Sequence, residues 1–437
     1  MKNNLFISSN ALTTIISSLI IDENYKSDNN ILLIVANHLE TKFLDSMIDV
    51  AKRLECFNKI LLFNEYSESM KLNCTVTLKD AKTFDFKRFE KDAEINNIDK
   101  IYTTFLYVQA RTIISHYTTS QVCAIENGTA SYLPQQLEKE LAERIVEFYS
   151  FNYFNILEPA ILKSLPKIKN VVIDKIKIKE KFEKLSHAVD IEQDENSVIF
   201  CAHNLSLNKN LMSEKEEFDE YYNIIKTLIA KGYDVYFKEH PKTPAHFYNK
   251  FRSQLKTNKL HLIKTPYPVE IIIPKLKPKA IVSVFSSSLL TVPHIFEIPS
   301  HTFKIKNNLT KYPVFEMAYA MILSYIAQLD KPEPPPITNW ETNVNPLTIV
   351  IFVEALKMFI SKKDFLQIQK NIQTIPYEEF EYFNISKELY EVYKYGSYIH
   401  LLIHYTNPYL EHIKKNFNSL PKKEFISKTL KTMKSMI

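Results

Sequence analysis

Three short polar segments of the sequence each follow an apolar, β-branched or aromatic run of the kind that forms a buried strand. The segments are Glu126-Asn127-Gly128, Lys238-Glu239-His240-Pro241-Lys242 and Ser286-Ser287-Ser288. They offer a carboxylate that can accept a proton, an imidazole that can donate a hydrogen bond, and hydroxyls that can hold an anion. Because polar residues just past a parallel strand lie at its carboxyl end, we expect the three segments to face one ligand cleft.

Glu126 is the candidate general base of the first segment. It follows the apolar run 121–125, and Gly128 permits a sharp turn where the strand ends. A carboxylate in this position is able to accept the proton of an attacking sugar hydroxyl. The alternative is that Glu126 only caps a helix or is solvated.

His240 is the candidate hydrogen-bond donor of the second segment. A histidine can donate a hydrogen bond or a proton near neutral pH, and the flanking Lys238 and Lys242 keep an anion nearby. Pro241 stiffens the turn. The alternative is a purely structural histidine.

A phosphate must be held in this chain without a glycine-rich loop. Only three glycines occur, at positions 128, 232 and 396, which excludes the GxGxxG and P-loop motifs. Ser286, Ser287 and Ser288 stand where a strand passes into a helix, so backbone N–H groups and hydroxyls together form an anion site. The alternative is that a serine only caps the helix.

Two parallel sheets are needed to position these segments. Short β-branched or aromatic runs alternate with longer mixed segments, which is the pattern of βα units. The predicted strands are Leu5–Ser9, Ile31–Asn37, Lys59–Asn64, Lys100–Leu106 and Val122–Glu126, and then Ser197–Ala202, Tyr233–Lys238, Leu260–Ile263 and Ala280–Phe285. Helices are predicted over 40–53 and from Glu214 to Ala230, with Gly232 as a left-handed residue after the second.

The predicted fold class is α/β, with two Rossmann-like domains of the glycosyltransferase-B type and a C-terminal helical extension. The domain limits are 1–165 for the acceptor side, 190–330 for the nucleotide side and 340–437 for the extension. The proline-rich segment 331–336 breaks regular structure, and amphipathic runs follow it at 346–372 and 377–404. In this architecture the ligand lies between the domains.

The composition restricts the function classes. The net charge of +5 arises from 55 basic and 50 acidic residues, which is no signature of nucleic-acid binding. The four cysteines have no zinc-ligand spacing, so we predict no zinc site and a reducing, cytoplasmic location. The apolar N-terminal stretch is interrupted by Ser, Thr and Asn, and we interpret it as a strand running into a helix rather than a signal peptide or membrane span.

Lysines are concentrated near the C-terminus, where seven lie within 414–434 with little acid to balance them. They indicate either a solvated helix face or attraction to an anionic partner, which is a polymer or the inner face of a membrane.

In the order and placement of its three segments, the sequence resembles the bacterial polysialyltransferase family and the related lipooligosaccharide sialyltransferases. Those families carry an acidic-acidic-Gly motif, a His-Pro motif and a Ser-Ser or Ser-Thr motif on a glycosyltransferase-B fold. The resemblance covers the layout of about residues 1–330 and rests on the motif residues. Asn127 departs from the family, which usually has a second acid there.

The resemblance implies inverting, metal-independent transfer from CMP-sialic acid, with no cofactor. Glu126 matches the general base, and His240 matches the histidine that assists departure of the CMP phosphate. The phosphate-binding pair matches two of the three serines, which are either Ser286 and Ser287 or Ser287 and Ser288. The implied partners are CMP-sialic acid and an anionic glycan or lipid-linked oligosaccharide, in capsule or lipooligosaccharide synthesis.

Further residues and further functions stay open from the sequence. Ser8, Ser9 and Asn10 lie where the first strand ends, and Pro268 to Glu270 are placed to reach the nucleoside. The alternative functions are transfer from another nucleotide sugar, nucleotide-sugar epimerisation on the same fold, and noncatalytic CMP binding. The sequence also leaves open the acceptor, the linkage, single transfer against polymerisation, and the oligomeric state.

Overall fold

The computed structural model describes residues 1–302, apart from several short stretches. Those stretches are 36–40, 68–83, 105–107, 127, 129–130, 132–138, 154–160, 163–164, 166, 204, 207–211, 241–242, 244–245 and 285. Asn127, Pro241, Lys242, the predicted helical extension 340–437 and its lysines therefore lie outside the described residues.

The first sheet has seven parallel strands in the order β3-β2-β1-β4-β5-β6-β7. Its strands are β1 Asn3–Ser8, β2 Asn29–Ile34, β3 Lys59–Leu62, β4 Lys100–Thr103, β5 Gln121–Ile125, β6 Ile145–Ser150 and β7 Lys169–Val172. Five helices connect successive strands along the chain: α1 Ala11–Asn24, α2 Thr41–Leu54, α3 Phe86–Ala93, α4 Val108–His116 and α5 Lys139–Arg144. Because both faces are covered, the central strands contain continuous apolar runs, as in β1, where Leu5, Phe6 and Ile7 are buried.

The second sheet has five parallel strands in the order β10-β9-β8-β11-β12. Its strands are β8 Ser197–Cys201, β9 Asp234–Lys238, β10 Leu260–Leu262, β11 Ala280–Ser283 and β12 Ser300–Thr302. Its helices are α7 Glu214–Ala230, α8 Phe247–Leu255, α9 Val269–Leu276 and α10 Ser288–Phe296, with α6 Lys175–Ser186 before the sheet. The two parallel sheets with their helices confirm the predicted α/β class with two Rossmann-like domains.

The local sequence determines where helix α7 begins and ends. The Ser213 hydroxyl accepts a hydrogen bond from the backbone N–H of Glu216, and the Glu216 carboxylate accepts one from the Ser213 N–H, which forms a capping box. Gly232 follows the helix with a φ of +94°. The predicted helix limits and the positive φ are both confirmed.

All nine predicted strands are present, and three further strands were not predicted. Strand β6 follows α5 without a turn residue, and β12 has only three residues. Strand β7 is a mostly exposed edge strand that begins at Lys169. Strand β12 is buried but has the polar sequence Ser-His-Thr, and β6 carries Glu147 in its middle. A hydrophobic pattern does not indicate strands that are polar in sequence or exposed at an edge.

Helix α6 connects the two domains. Its buried residues Ile178, Phe182 and Leu185 belong to a core that includes residues of both sheets. Lys177 forms an ion pair with Glu23 of α1 at 2.6 Å. At its other end the Phe182 ring packs against Phe296 of α10, with 5.7 Å between centroids. The helix therefore touches both domains.

Candidate active site

The carboxyl ends of the strands from both sheets supply the candidate site. Each sheet has a switch point, between β1 and β4 in the first and between β8 and β11 in the second, where connections leave in opposite directions. Ligands of open parallel sheets bind outside the carboxyl ends of the strands at such points. The three polar segments follow β5, β9 and β11, which are at these points or beside them.

Glu126 is buried directly after β5, with a side chain only 1% exposed. The backbone N–H of Phe151, at the end of β6, donates a hydrogen bond of 2.5 Å to Glu126 Oε2. The Glu126 N–H in turn donates to the Tyr149 carbonyl at 2.8 Å. Strand β6, which the sequence did not predict, therefore fixes the direction of this carboxylate.

Gly128 and Ser287 bring the first and third segments into contact. Gly128 has a φ of +56°, and a Cβ built on it would lie 2.8 Å from the Cβ of Ser287. Because real Cβ atoms do not approach so closely, the turn after Glu126 packs against α10 only through a glycine. The first domain's carboxylate segment and the second domain's serine segment thus meet directly.

The three serines play different parts at the start of α10. The backbone N–H of Ser288 donates to Ser286 Oγ at 3.3 Å, so Ser286 helps to cap the helix. Ser287 stands at the N-cap position but makes no side-chain capping hydrogen bond. The hydroxyl most suited to a ligand anion is therefore that of Ser287, at the positive end of the helix dipole.

His240 lies two residues beyond β9, and its backbone N–H donates to Thr243 Oγ1 at 2.8 Å. Its ring faces the ring of His203, with centroids 5.4 Å apart and planes inclined by 16°. His203 follows β8, the strand beside β9. The sequence shows the same signal at both positions, a polar residue just past a strand, but only His240 has the flanking proline and lysines that single out a candidate.

Phe151 and His294 link the Glu126 turn to the second domain. The His294 ring, on α10, packs edge-on against Phe151 and Tyr153, with centroids 6.0 and 5.2 Å away. Burial and the charge of Lys175 lower the pKa of His294 to about 4, so it is neutral at pH 7. The chain segment that holds Glu126 therefore packs on the same helix that begins with the serines.

The segment after β1 is mainly occupied with capping α1. The Asn10 side-chain oxygen accepts hydrogen bonds from the backbone N–H and the hydroxyl of Thr13, at 2.8 and 3.1 Å. Ser8 Oγ lies 2.9 Å from Thr14 Oγ1. Ser9 Oγ is buried with no hydrogen-bond partner among the described residues, so of these three it remains the best candidate for a ligand contact.

Glu270 lies at the start of α9, after Pro268, and is only 4% exposed. The Thr291 hydroxyl, on α10, donates a hydrogen bond of 2.5 Å to Glu270 Oε1. This bond ties α9 to α10 beneath the serine segment. Glu270 thus has a structural role in joining two helices, and its contact with the nucleoside stays a prediction.

We predict that Thr291→Val lowers the free energy of unfolding by about 1–3 kcal/mol, because the substitution removes the hydroxyl donor from a buried carboxylate. Chemical denaturation of the two proteins measures the difference. Thr227→Val is the matched control, since Thr227 Oγ1 bonds the Asn223 carbonyl on an exposed face of α7. A loss of donor binding in Thr291→Val at unchanged stability would assign Glu270 to the ligand site instead.

Within residues 1–302, outside the stretches given above, no group of three or more His, Cys, Asp or Glu side chains is arranged to hold a metal ion. No helix in the same part of the chain is long and apolar enough to cross a membrane.

Solved structures similar to this chain include enzymes of nucleotide-sugar chemistry. Methanocaldococcus jannaschii UDP-GlcNAc 2-epimerase is 13% identical, with 80% of this chain and 100% of that chain covered and a TM-score of 0.45. The E. coli heptosyltransferase WaaC is 10% identical, with 69% and 88% covered and a TM-score of 0.39. A sialyltransferase from Photobacterium damsela is 13% identical, with 67% and 72% covered and a TM-score of 0.37.

Comparison at the level of sequence gives one family. No curated protein sequence matches the chain significantly. The model of the alpha-2,8-polysialyltransferase family matches residues 4–304, which include both sheets and all three polar segments. The chain therefore belongs to the alpha-2,8-polysialyltransferase family.

Proposed function

We propose that this family member is an inverting, metal-independent sialyltransferase that moves sialic acid from CMP-sialic acid to a hydroxyl of a bacterial surface glycan. Family membership supports sialyl transfer in general. The contact of Gly128 with Ser287 supports the proposed residues most strongly, because it brings the base segment to the phosphate segment. The donor, the stereochemistry and the residue roles belong to the proposal.

Glu126 is the proposed base. Its carboxylate accepts the proton of the acceptor hydroxyl as that oxygen bonds to the anomeric carbon of sialic acid. The bond from this carbon to the CMP phosphate oxygen breaks, and the electron pair leaves with CMP. Attack on the face opposite the leaving group inverts the anomeric configuration. The Phe151 N–H supports this role because it fixes the direction of the carboxylate.

The leaving phosphate is the proposed ligand of the second domain. The N–H groups at the start of α10 and the Ser287 hydroxyl supply hydrogen bonds and a positive dipole end. His240 supplies a further donor as negative charge develops on the departing oxygen. Lys238, 8% exposed, ends β9 two residues before His240 and adds positive charge to this strand end.

The acceptor is proposed from the family alone, as a growing capsular polysialic acid or a lipooligosaccharide on the cytoplasmic face of the inner membrane. A polymerising enzyme must hold a long anionic product, so its activity on long acceptors weakens steeply with salt. A single-transfer enzyme acts equally well on short acceptors.

A donor screen tests the proposed function. We expect release of CMP from CMP-sialic acid with a sialylated acceptor, and we expect His240→Ala to lower kcat about 100-fold or more, because the phosphate loses a donor in the transition state. Chromatographic detection of CMP and of the extended acceptor measures both.

The controls distinguish the alternative functions. Release of UDP from a UDP-sugar without release of CMP would contradict the sialyltransferase proposal and leave the fold unchanged. Conversion of a nucleotide sugar without any acceptor would identify an epimerase. Tight CMP binding with neither transfer nor hydrolysis would identify a noncatalytic protein.

A further inference from the structure

The loop that follows β8 is anchored to helix α7 by a buried tyrosine. The Tyr221 hydroxyl accepts a hydrogen bond from the backbone N–H of His203 at 2.9 Å and donates one to the His203 carbonyl. Tyr221 is fully buried. The Tyr221 side chain therefore binds both the N–H and the carbonyl of His203. These two bonds fix the backbone position from which the His203 ring extends.

A buried carboxylate anchors the same loop two residues later. Glu217 is 0% exposed, and its two oxygens accept the backbone N–H groups of Leu205 and Ser206 at 3.0 and 2.8 Å. Burying a carboxylate costs free energy unless hydrogen bonds compensate for the lost water. The loop that carries His203 is thus held by two buried polar side chains of α7.

The ring of His203 lies parallel to that of His240, with centroids 5.4 Å apart and planes 16° apart. His203 lies two residues beyond β8, at the switch point, and His240 lies two residues beyond the neighbouring strand β9. Burial and the adjacent His240 lower the pKa of His203 to about 3. At pH 7 His203 is therefore a neutral planar ring beside that of His240.

We propose that His203 is a positioning residue that holds the imidazole of His240 in the orientation that serves the leaving phosphate. The inference rests on the proposed function of His240. An anchored flat ring on one face of His240 restricts rotation of that side chain, so its N–H stays directed at the phosphate. Restriction of this kind acts on the chemical step, because misplacing a catalytic group lowers the rate more than it weakens binding.

A pair of substitutions tests for the flat ring. His203→Leu fills similar space without a plane, and we expect kcat to fall about 10- to 100-fold with the KM for CMP-sialic acid changed by less than about threefold. His203→Phe keeps a neutral plane and should retain kcat within about threefold of the wild type. Thermal unfolding of both variants shows whether they are folded.

His261→Leu is the matched control. His261 also stacks on an aromatic ring of the second sheet, that of Tyr236 at 4.7 Å, but it does not belong to the site. We expect its kcat to equal that of the wild type. If His203→Leu and His203→Phe show the same kcat, the planar ring has no positioning role and the inference is overturned.

A double-mutant cycle separates this inference from the proposed function. If His203 acts through His240, His203→Leu should cause no further loss of kcat in the His240→Ala background. Multiplication of the two losses would mean an independent, structural effect and would also overturn the inference. Wild-type activity of His240→Ala contradicts the proposed function itself, whereas an inactive His240→Ala beside a fully active His203→Leu contradicts only the inference.

Discussion

Glu126→Gln is expected to lower kcat for sialyl transfer by about two to four orders of magnitude, because an amide cannot accept the proton of the attacking hydroxyl. The amide oxygen can still accept the hydrogen bond from the Phe151 N–H, so the local fold should persist. The KM for CMP-sialic acid should change by less than about threefold, since the carboxylate acts on the acceptor. Steady-state release of CMP at saturating acceptor measures this loss.

The control for charge is Glu195→Gln, which makes the same chemical change on the exposed loop before β8. It should leave kcat unchanged. Circular dichroism and thermal unfolding should be the same for Glu126→Gln and the wild type. Normal turnover by a folded Glu126→Gln protein would remove Glu126 from the mechanism, and the base would then have to be sought elsewhere at the cleft.

Gly128→Ala is expected to lower kcat/KM about 10- to 100-fold through geometry alone. The added methyl would lie 2.8 Å from the Ser287 Cβ, so the Glu126 turn or the start of α10 must move. A displacement of about 1 Å between reacting groups is enough for a loss of this size. Because alanine is disfavoured at a φ of +56°, the substitution should also lower the free energy of unfolding by about 1–2 kcal/mol.

Gly232→Ala separates these two effects. Gly232 also has a positive φ, of +94°, but a Cβ there would meet nothing within 4 Å. We expect this variant to lose stability while kcat/KM stays at the wild-type value, and unfolding together with steady-state kinetics measures both. Equal losses of activity in the two variants would mean that backbone strain, rather than the contact with Ser287, causes the effect.

Much of the fold could be predicted from hydrophobic patterns. Strands such as β1 and β11 are buried on both faces, so each contains a continuous apolar run that is followed by a polar residue. Strand β6 was not predicted because a glutamate, Glu147, interrupts its apolar run. The Glu147 carboxylate forms ion pairs with the ammonium groups of Lys100 and Lys169, at 3.4 and 3.6 Å. Patterns of hydrophobicity do not show a strand whose polar residues are satisfied by neighbours distant in sequence.

The candidate site was predictable only in part, for a similar reason. Glu126, His240 and the serines stand at strand ends, which a linear sequence can indicate. The role of Phe151 rests on its backbone N–H, so no residue type could signal it. The proximity of Gly128 to Ser287 depends on how two domains pack, and no local pattern contains that information.

The contact of Gly128 with Ser287 joins positions 159 residues apart in the chain. The packing of the two domains sets the distance between the two residues. The intervening chain only has to be long enough to connect them. The cost of closing a loop rises slowly with its length, so connections between the two positions can gain residues at little expense. A single methyl group at the contact has no such freedom. Over evolutionary time, lengthening of surface loops is therefore compatible with the chemistry, whereas replacement of this glycine requires a simultaneous change across the domain boundary.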